Sequence, residues 1–286
     1  MHNSDEELLR SLPRVLRARD FHLYTEGGKR LVDLWLHGGK AVLGHKPSRV
    51  LLELKNAAER GLFTPLPHPL ERRLTNALTI LFPDRSFRFY NDSLSMYNAI
   101  EKAFPCESAS FQAEAIPDPA FPDSNTGKAI VSLWRPFVEP LSADEKTPIL
   151  IPVLPWPLGP VVLALDKSLE ASFPQGEIIP PVLLAPTARA LYDLAAKIRS
   201  SDRQRFYRIE KAIAGAGQDE GSKSGVWQRR GIYLTTTRVE RKKYAELFRD
   251  FLEAGFLLPP RANEPVILPA TMSKGEETCL AELLCR

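Results

Sequence analysis

The stretch from Arg88 to Phe104, Arg-Phe-Tyr-Asn-Asp-Ser-Leu-Ser-Met-Tyr-Asn-Ala-Ile-Glu-Lys-Ala-Phe, constrains the fold more than any other part of the chain. A β-rich run, Ser86 to Tyr90, enters a polar turn, and the turn opens an amphipathic helix that Pro105 ends. A strand, a small polar turn and a helix N-terminus bring unpaired backbone N–H groups and the helix dipole to one point. That is the geometry of a phosphate cradle. A chain organised around such a unit is expected to be an α/β protein.

The flanking segments agree. Phe21 to Tyr24, then Glu26-Gly27-Gly28-Lys29, then Arg30 to Trp35 read as a β-hairpin, because the glycines supply the positive φ of the turn. Apolar residues recur at helical spacing over Pro47 to Leu62 and again from Pro69 to Leu81. Pro105 to Lys128 carries Pro, Ser, Asp and Ala without periodicity and reads as an irregular connection. Ala129 to Trp134, Ile149 to Leu154 and Val161 to Leu165 are nearly continuous apolar runs, the pattern of strands buried on both faces. Helices are expected over Pro186 to Arg199 and Asp202 to Ile213, and Gly215 to Gly225 reads as a linker.

The remainder is an orderly α+β unit. Gly231 to Thr236 reads as a strand, Thr237 to Glu240 as a capping box, and Tyr244, Leu247, Phe248, Phe251 and Leu252 as one helix stripe. Gly255 caps that helix, short strands follow at Phe256 to Leu258 and Pro265 to Leu268, and Ser273-Lys-Gly-Glu276 caps a last helix.

Composition excludes several function classes. With 38 basic and 35 acidic residues among 286, the formal charge is only +3. The chain lacks the clustered basic face expected of a nucleic-acid binder. Cys106, Cys279 and Cys285 are too scattered for a disulfide framework or a Cys-x-x-Cys metal site, and the five histidines lack ligand spacing. The acidic N-terminus lacks the order of a signal peptide, and no apolar run reaches membrane-spanning length. The expectation is a cytoplasmic protein with no nucleic-acid or membrane partner and no metal.

The order of motifs resembles the class III aminotransferases, above all the glutamate-1-semialdehyde 2,1-aminomutase branch, which are fold type I enzymes using pyridoxal phosphate (PLP). Gly28-Lys29-Arg30-Leu31-Val32-Asp33 matches that family's Asp/Glu-Gly-Lys-Arg-x-x-Asp. Leu43-Gly44-His45-Lys46-Pro47 looks like its Leu-Gly-His-x-x-Pro, one residue shorter, and Pro67-His68-Pro69-Leu70-Glu71 resembles the segment before the next helix. Phe89 to Ala99 aligns without gaps to Phe-x-Asn-Ser-Gly-Ser-Glu-Ala-Asn-Glu-Ala, the loop that holds the cofactor phosphate. Here Ser93 replaces the Gly, Leu94 the phosphate-binding Ser and Ser95 the Glu, while Asp92 adds a negative charge beside a dianion. Leu258 to Pro265 and Thr271 to Glu277 are similar to the family's final strand and terminal helix start.

The resemblance implies a PLP-transferase fold type I, an α/β protein with a reduced large-domain sheet plus an α+β small domain. Residues 48–214 would form the large domain, 1–47 and 226–286 the small domain, and 215–225 the linker. The family's large domain also carries an Asp-Glu pair whose Asp binds the pyridine nitrogen. Only Pro105 to Pro148 fills that space, and Asp144-Glu145 precedes a strand instead of ending one. PLP chemistry needs a Schiff-base lysine. Aligning Pro157 to Val161 with the family's Gly-x-Pro-x-Gly-Ala puts Leu150, or a neighbour within Ile149 to Val153, at the lysine position. The competing alignment makes Lys167 that lysine.

The favoured expectation is a degenerate aminotransferase homologue with no cofactor, acting in binding or assembly. The alternative is an active PLP-dependent aminotransferase or aminomutase using Lys167, with Asn91, Asp92 and Ser93 at the phosphate. The resemblance also implies a homodimer. A shortened sheet needs its edges covered, by a partner or by the Pro-rich segment 105–122.

Overall fold

The structure is a computed structural model that describes residues 3–104, 116–121, 129–138, 147–200, 206–216, 227–236 and 241–285. After α1 (Asn3–Arg10), an antiparallel meander runs through β1 (Val15–Arg19), β2 (His22–Thr25) and β3 (Arg30–Asp33). Gly28, at φ 77°, makes the β2–β3 turn. β1 is a mostly exposed edge strand whose Val-Leu-Arg-Ala-Arg sequence shows no clean alternation, so pattern alone does not reveal it. A short 3₁₀ turn (Leu36–Gly39) follows, then α2 (Ser48–Glu59) and α3 (Leu70–Leu81). Both helices fill the spans that their apolar stripes predict, burying Val50 and Ala57 from the first and Leu74, Ala77 and Leu78 from the second.

The central sheet comes next. β4 (Arg85–Tyr90) leads into α4 (Ser93–Ala103), and β5 (Val131–Trp134), β6 (Ile149–Pro152) and β7 (Val161–Asp166) complete it in the order β4-β7-β6-β5. Only β5 and β6 are parallel; β7 runs antiparallel to both its neighbours. β6 is buried along its whole length, as its unbroken apolar sequence requires when both faces are covered. One face packs on α4 through Met96 and Ile100. The other packs on α3 and on α5 (Pro181–Arg199), with Leu184, Ala188, Leu191 and Leu194 over Leu150, Val162 and Ala164. α5 starts five residues before the expected Pro186. Pro181 takes the first turn, where its missing N–H costs nothing, and Pro186 is carried inside the helix.

Both edges of this sheet are covered by the chain's own irregular segments. Along β4, Glu177 N donates to the Phe89 carbonyl (2.7 Å), and Arg88 Nε donates to the Pro174 carbonyl (3.1 Å). Along β5, Leu133 N and Ser132 Oγ both donate to the Pro117 carbonyl. Unpaired edge strands template association, and prolines beside them supply acceptors without offering N–H donors of their own. Residues 116–121 of the Pro-rich connection therefore cover the β5 edge locally.

The terminal unit contains α6 (Tyr207–Ala216), β8 (Trp227–Arg230), β9 (Tyr233–Thr236), α7 (Arg241–Glu253), β10 (Phe256–Leu257), β11 (Val266–Ile267) and α8 (Lys274–Leu284). β10 joins the first meander beside β3, and β11, β9 and β8 form a separate three-stranded sheet. Gly231 is not in a strand as expected. At φ 62° it turns the β8–β9 hairpin, and a Cβ there would lie 1.6 Å from the Phe137 carbonyl oxygen. The stripe Tyr244, Phe248 and Phe251 is buried as its spacing predicts, and Ser273 and Glu276 form both bonds of the capping box. α6 packs into this terminal core through Ile209, against Leu280 and Phe248, although its sequence position suggested the middle unit. The expected linker 215–225 begins inside α6 and then passes, with Thr237 to Glu240 and Asp144-Glu145, outside the described residues.

Candidate functional site

Strands β4, β5 and β6 all end at one rim of the central sheet, because β5 and β6 are parallel and β4 and β6 both oppose β7. The turn Asn91-Asp92-Ser93 sits there, at the N-terminus of α4. Two backbone donors of this region, Asn91 N before the helix and Ser95 N in its first turn, are taken by carboxylates of the protein itself. Asp92 is the N-cap residue, and its Oδ1 accepts from Ser95 N at 2.8 Å. Glu177 Oε2 accepts from Asn91 N and from Asn91 Nδ2, both at 2.8 Å. The bond from the Asn91 amide holds the Glu177 carboxyl below its ordinary pKa, against burial and the neighbouring Asp92 charge. Leu94 projects into solvent from the first turn, 70% exposed.

Glu177 reaches this position because Gly176 lets the backbone press on β4. A Cβ at Gly176 would lie 2.7 Å from Phe89 N and 2.8 Å from Phe89 O. No local sequence signal marks Glu177, since 86 residues separate it from Asn91. Asp92 was legible as an N-cap from its residue type and its place before an apolar helix. Reading it only as a charge opposed to phosphate missed that role.

The other strand ends carry an ion pair and apolar side chains. β5 ends at Trp134 and then Arg135, whose side chain is almost fully buried. Arg135 Nε and Nη2 grip Asp118 with contacts of 2.7 to 2.9 Å, and Nη1 donates to the Gly38 carbonyl at 2.7 Å. Burial lowers the Arg135 pKa, but the Asp118 charge and hydrogen bonds outweigh it, so the guanidinium stays charged. Its Cζ lies 5.6 Å from the centre of the Tyr233 ring, and the Tyr233 hydroxyl donates to the Pro136 carbonyl. This buried pair ties the 3₁₀ turn, the β5 end and the β8–β9 hairpin together. At β6, Val153 packs against Gly39, where a Cβ would come within 3.3 Å of both Val153 and Arg135.

The sequence candidates separate in space. Asn91, Asp92 and Ser93 share the α4 turn, but Lys167 does not approach them. The β4–β7 register pairs Tyr90 with Val161 and Arg85 with Asp166, so Lys167 lies beyond the opposite end of β7. At the rise of an extended strand that separation is about 20 Å. Lys167 opens a 3₁₀ turn capped by Asp166, its side chain is 64% exposed, and its Nζ lies 3.8 Å from Asp84. Leu150 is buried between Ala164 and Ser132, among α5 side chains.

The hairpin motifs have structural partners. Asp33 is buried; its Oδ1 accepts from Trp35 N and Leu36 N and its Oδ2 meets His45 Nε2, each at 2.9 Å. Lys29 Nζ donates to the Leu252 and Glu253 carbonyls, neutralising the C-terminal end of α7. Glu276, in the last helix, accepts from Arg30 at 2.8 Å and pairs with His22 at 3.0 Å. Among the described residues no cluster of His, Cys, Asp and Glu is arranged to hold a metal, and no helix is long and apolar enough to cross a membrane.

No family model matches the chain. An uncharacterized protein of Treponema pallidum (strain Nichols) is 29% identical over 306 residues, covering 92% of this chain and 91% of that one. Glutamate-1-semialdehyde 2,1-aminomutase of Clostridium acetobutylicum is 36% identical over 62 residues, covering 22% of this chain and 15% of the enzyme. Among solved structures, ornithine delta-aminotransferase of Plasmodium falciparum superposes with a TM-score of 0.69 at 10% identity, covering 99% of this chain and 98% of that one. The reduced four-stranded sheet with its α+β companion therefore has the fold of the PLP-dependent aminotransferases, fold type I.

Proposed function

We propose that this protein is a non-catalytic member of the aminotransferase fold whose role is binding or assembly. The observation that carries the reading is a pair of carboxylates at this turn: Asp92 on Ser95 N in the first turn of α4, and Glu177 on Asn91 N just before it. A phosphate dianion at that point would face two carboxylates, which repel it. The donor set does not fit PLP. Leu94 offers no hydroxyl, β6 offers only apolar side chains, and the Arg135 guanidinium after β5 is already engaged by Asp118. The alternative, an active enzyme using Lys167, is opposed by the distance of that residue from the turn.

Assembly is supported by exposed apolar side chains on segments linked to the same turn. Phe63, Leu66, Leu94 and Ile178 are between 47% and 70% exposed. Their segments are joined by the bonds from Asn91 N to Glu177 and from Val182 N to the Leu62 carbonyl. Exposed apolar side chains are the usual material of association surfaces, and in this reading the partner is a second copy of the chain. The chemical test is to add PLP to the purified protein, reduce with borohydride and map modified peptides. The reading predicts no internal-aldimine absorbance and only scattered substoichiometric labelling. Stoichiometric labelling of one lysine contradicts it.

A further inference from the structure

α3 and α5 pack over β4, β7 and β6, and where the two helices end a depression remains beside β5. A groove of about 600 Å³ lies there, in the size range of small-molecule sites. Trp134 and Leu150 form its floor from β5 and β6, while Phe82 and Ile198 wall it from the ends of α3 and α5. The aromatic wall is ordered, with the Phe82 and Trp134 rings 4.9 Å apart and edge to face. Phe137 closes one side with its backbone at φ 64°, a left-handed conformation that a non-glycine residue adopts at a cost. That conformation is held from behind, because the Phe137 carbonyl abuts Gly231, where no side chain fits. Strain of this kind persists where surrounding structure fixes it, and such positions cluster at ligand sites.

The mouth of the groove is polar and uneven in charge. Asp84 is drawn toward Lys167, 3.8 Å away. Arg85 turns its guanidinium inward to the Thr147, Pro148 and Ala164 carbonyls. Arg199, exposed in the last turn of α5, has no ion-pair partner among the described residues. An apolar, aromatic-walled groove with a guanidinium at its mouth is complementary to an apolar body ending in one carboxylate, because the planar guanidinium accepts a carboxylate in bidentate geometry. We propose that this groove binds a hydrophobic monocarboxylate, with its apolar part over Trp134, Leu150 and Phe82 and its carboxylate on Arg199. None of these residues belongs to the turn before α4, so the proposal stands independently of whether that turn holds a cofactor.

The test is calorimetric titration of the full chain with octanoate and with 1-octanol, the same chain without the charge. Octanoate is expected to bind saturably at one site, and octanol at least about tenfold more weakly, as loss of a charge-assisted contact implies. Arg199→Gln, at an exposed position that leaves folding intact, is expected to reduce octanoate affinity by the same factor and leave octanol unchanged. Ile198→Trp, which fills the groove, is expected to abolish both. Absence of saturable octanoate binding by the wild-type chain overturns the proposal. So does equal affinity for the acid and the alcohol, or an Arg199→Gln protein that binds octanoate as the wild type does.

Discussion

Asp92 and Glu177 hold the turn into α4 by different routes. Asp92 is local: its carboxylate caps Ser95 N, and replacing it by Ala leaves that donor unmet at a cost of about 1 kcal/mol, measurable by urea unfolding. Glu177 is long-range, since its bonds to Asn91 tie the covering segment to β4. Its folded-state pKa is depressed, so its stabilisation is present above the unfolded value and is lost as pH falls through the folded one. The difference in unfolding midpoint between wild type and Glu177→Gln should therefore be largest above about pH 5 and shrink as acid protonates the carboxylate. A constant difference across that range would show that Glu177 acts only by packing.

At the scale of elements, glycines mark where backbones meet. Gly231→Ala drives a Cβ into the Phe137 carbonyl in a left-handed turn, with an expected loss of about 3 kcal/mol or more. Gly27→Ala, with no heavy atom near its Cβ and no positive φ, should stay within about 0.5 kcal/mol of wild type. Comparing the two unfolding curves separates a required glycine from a permissive one. The elements themselves were largely legible from sequence. The helical stripes of α2, α3 and α7 and the apolar run of β6 predict both existence and burial, because periodicity reports which faces are covered. β1 was not: it exists because β2 pairs with it. In the candidate site, Asp92 could be read from its neighbours. Glu177 and the Asp118–Arg135 pair join residues 86 and 17 positions apart, and no local pattern reports such contacts.

For the whole molecule, the reduced sheet stays closed because irregular segments cover both edges and the Asp118–Arg135 pair locks the rim of β5 to the terminal unit. The proposed self-association rests on the exposed side chains of Phe63, Leu66, Leu94 and Ile178. Sedimentation should find a dimer for the wild type and a monomer for Phe63→Asp combined with Leu66→Asp. A wild type that stays monomeric at micromolar concentration would remove that surface from the account. The central claim is that the protein's own carboxylates hold the helix end where a cofactor phosphate would bind. Calorimetric titration with PLP tests it most directly. The account predicts no saturable heat for the wild type, and saturable one-to-one binding would contradict it.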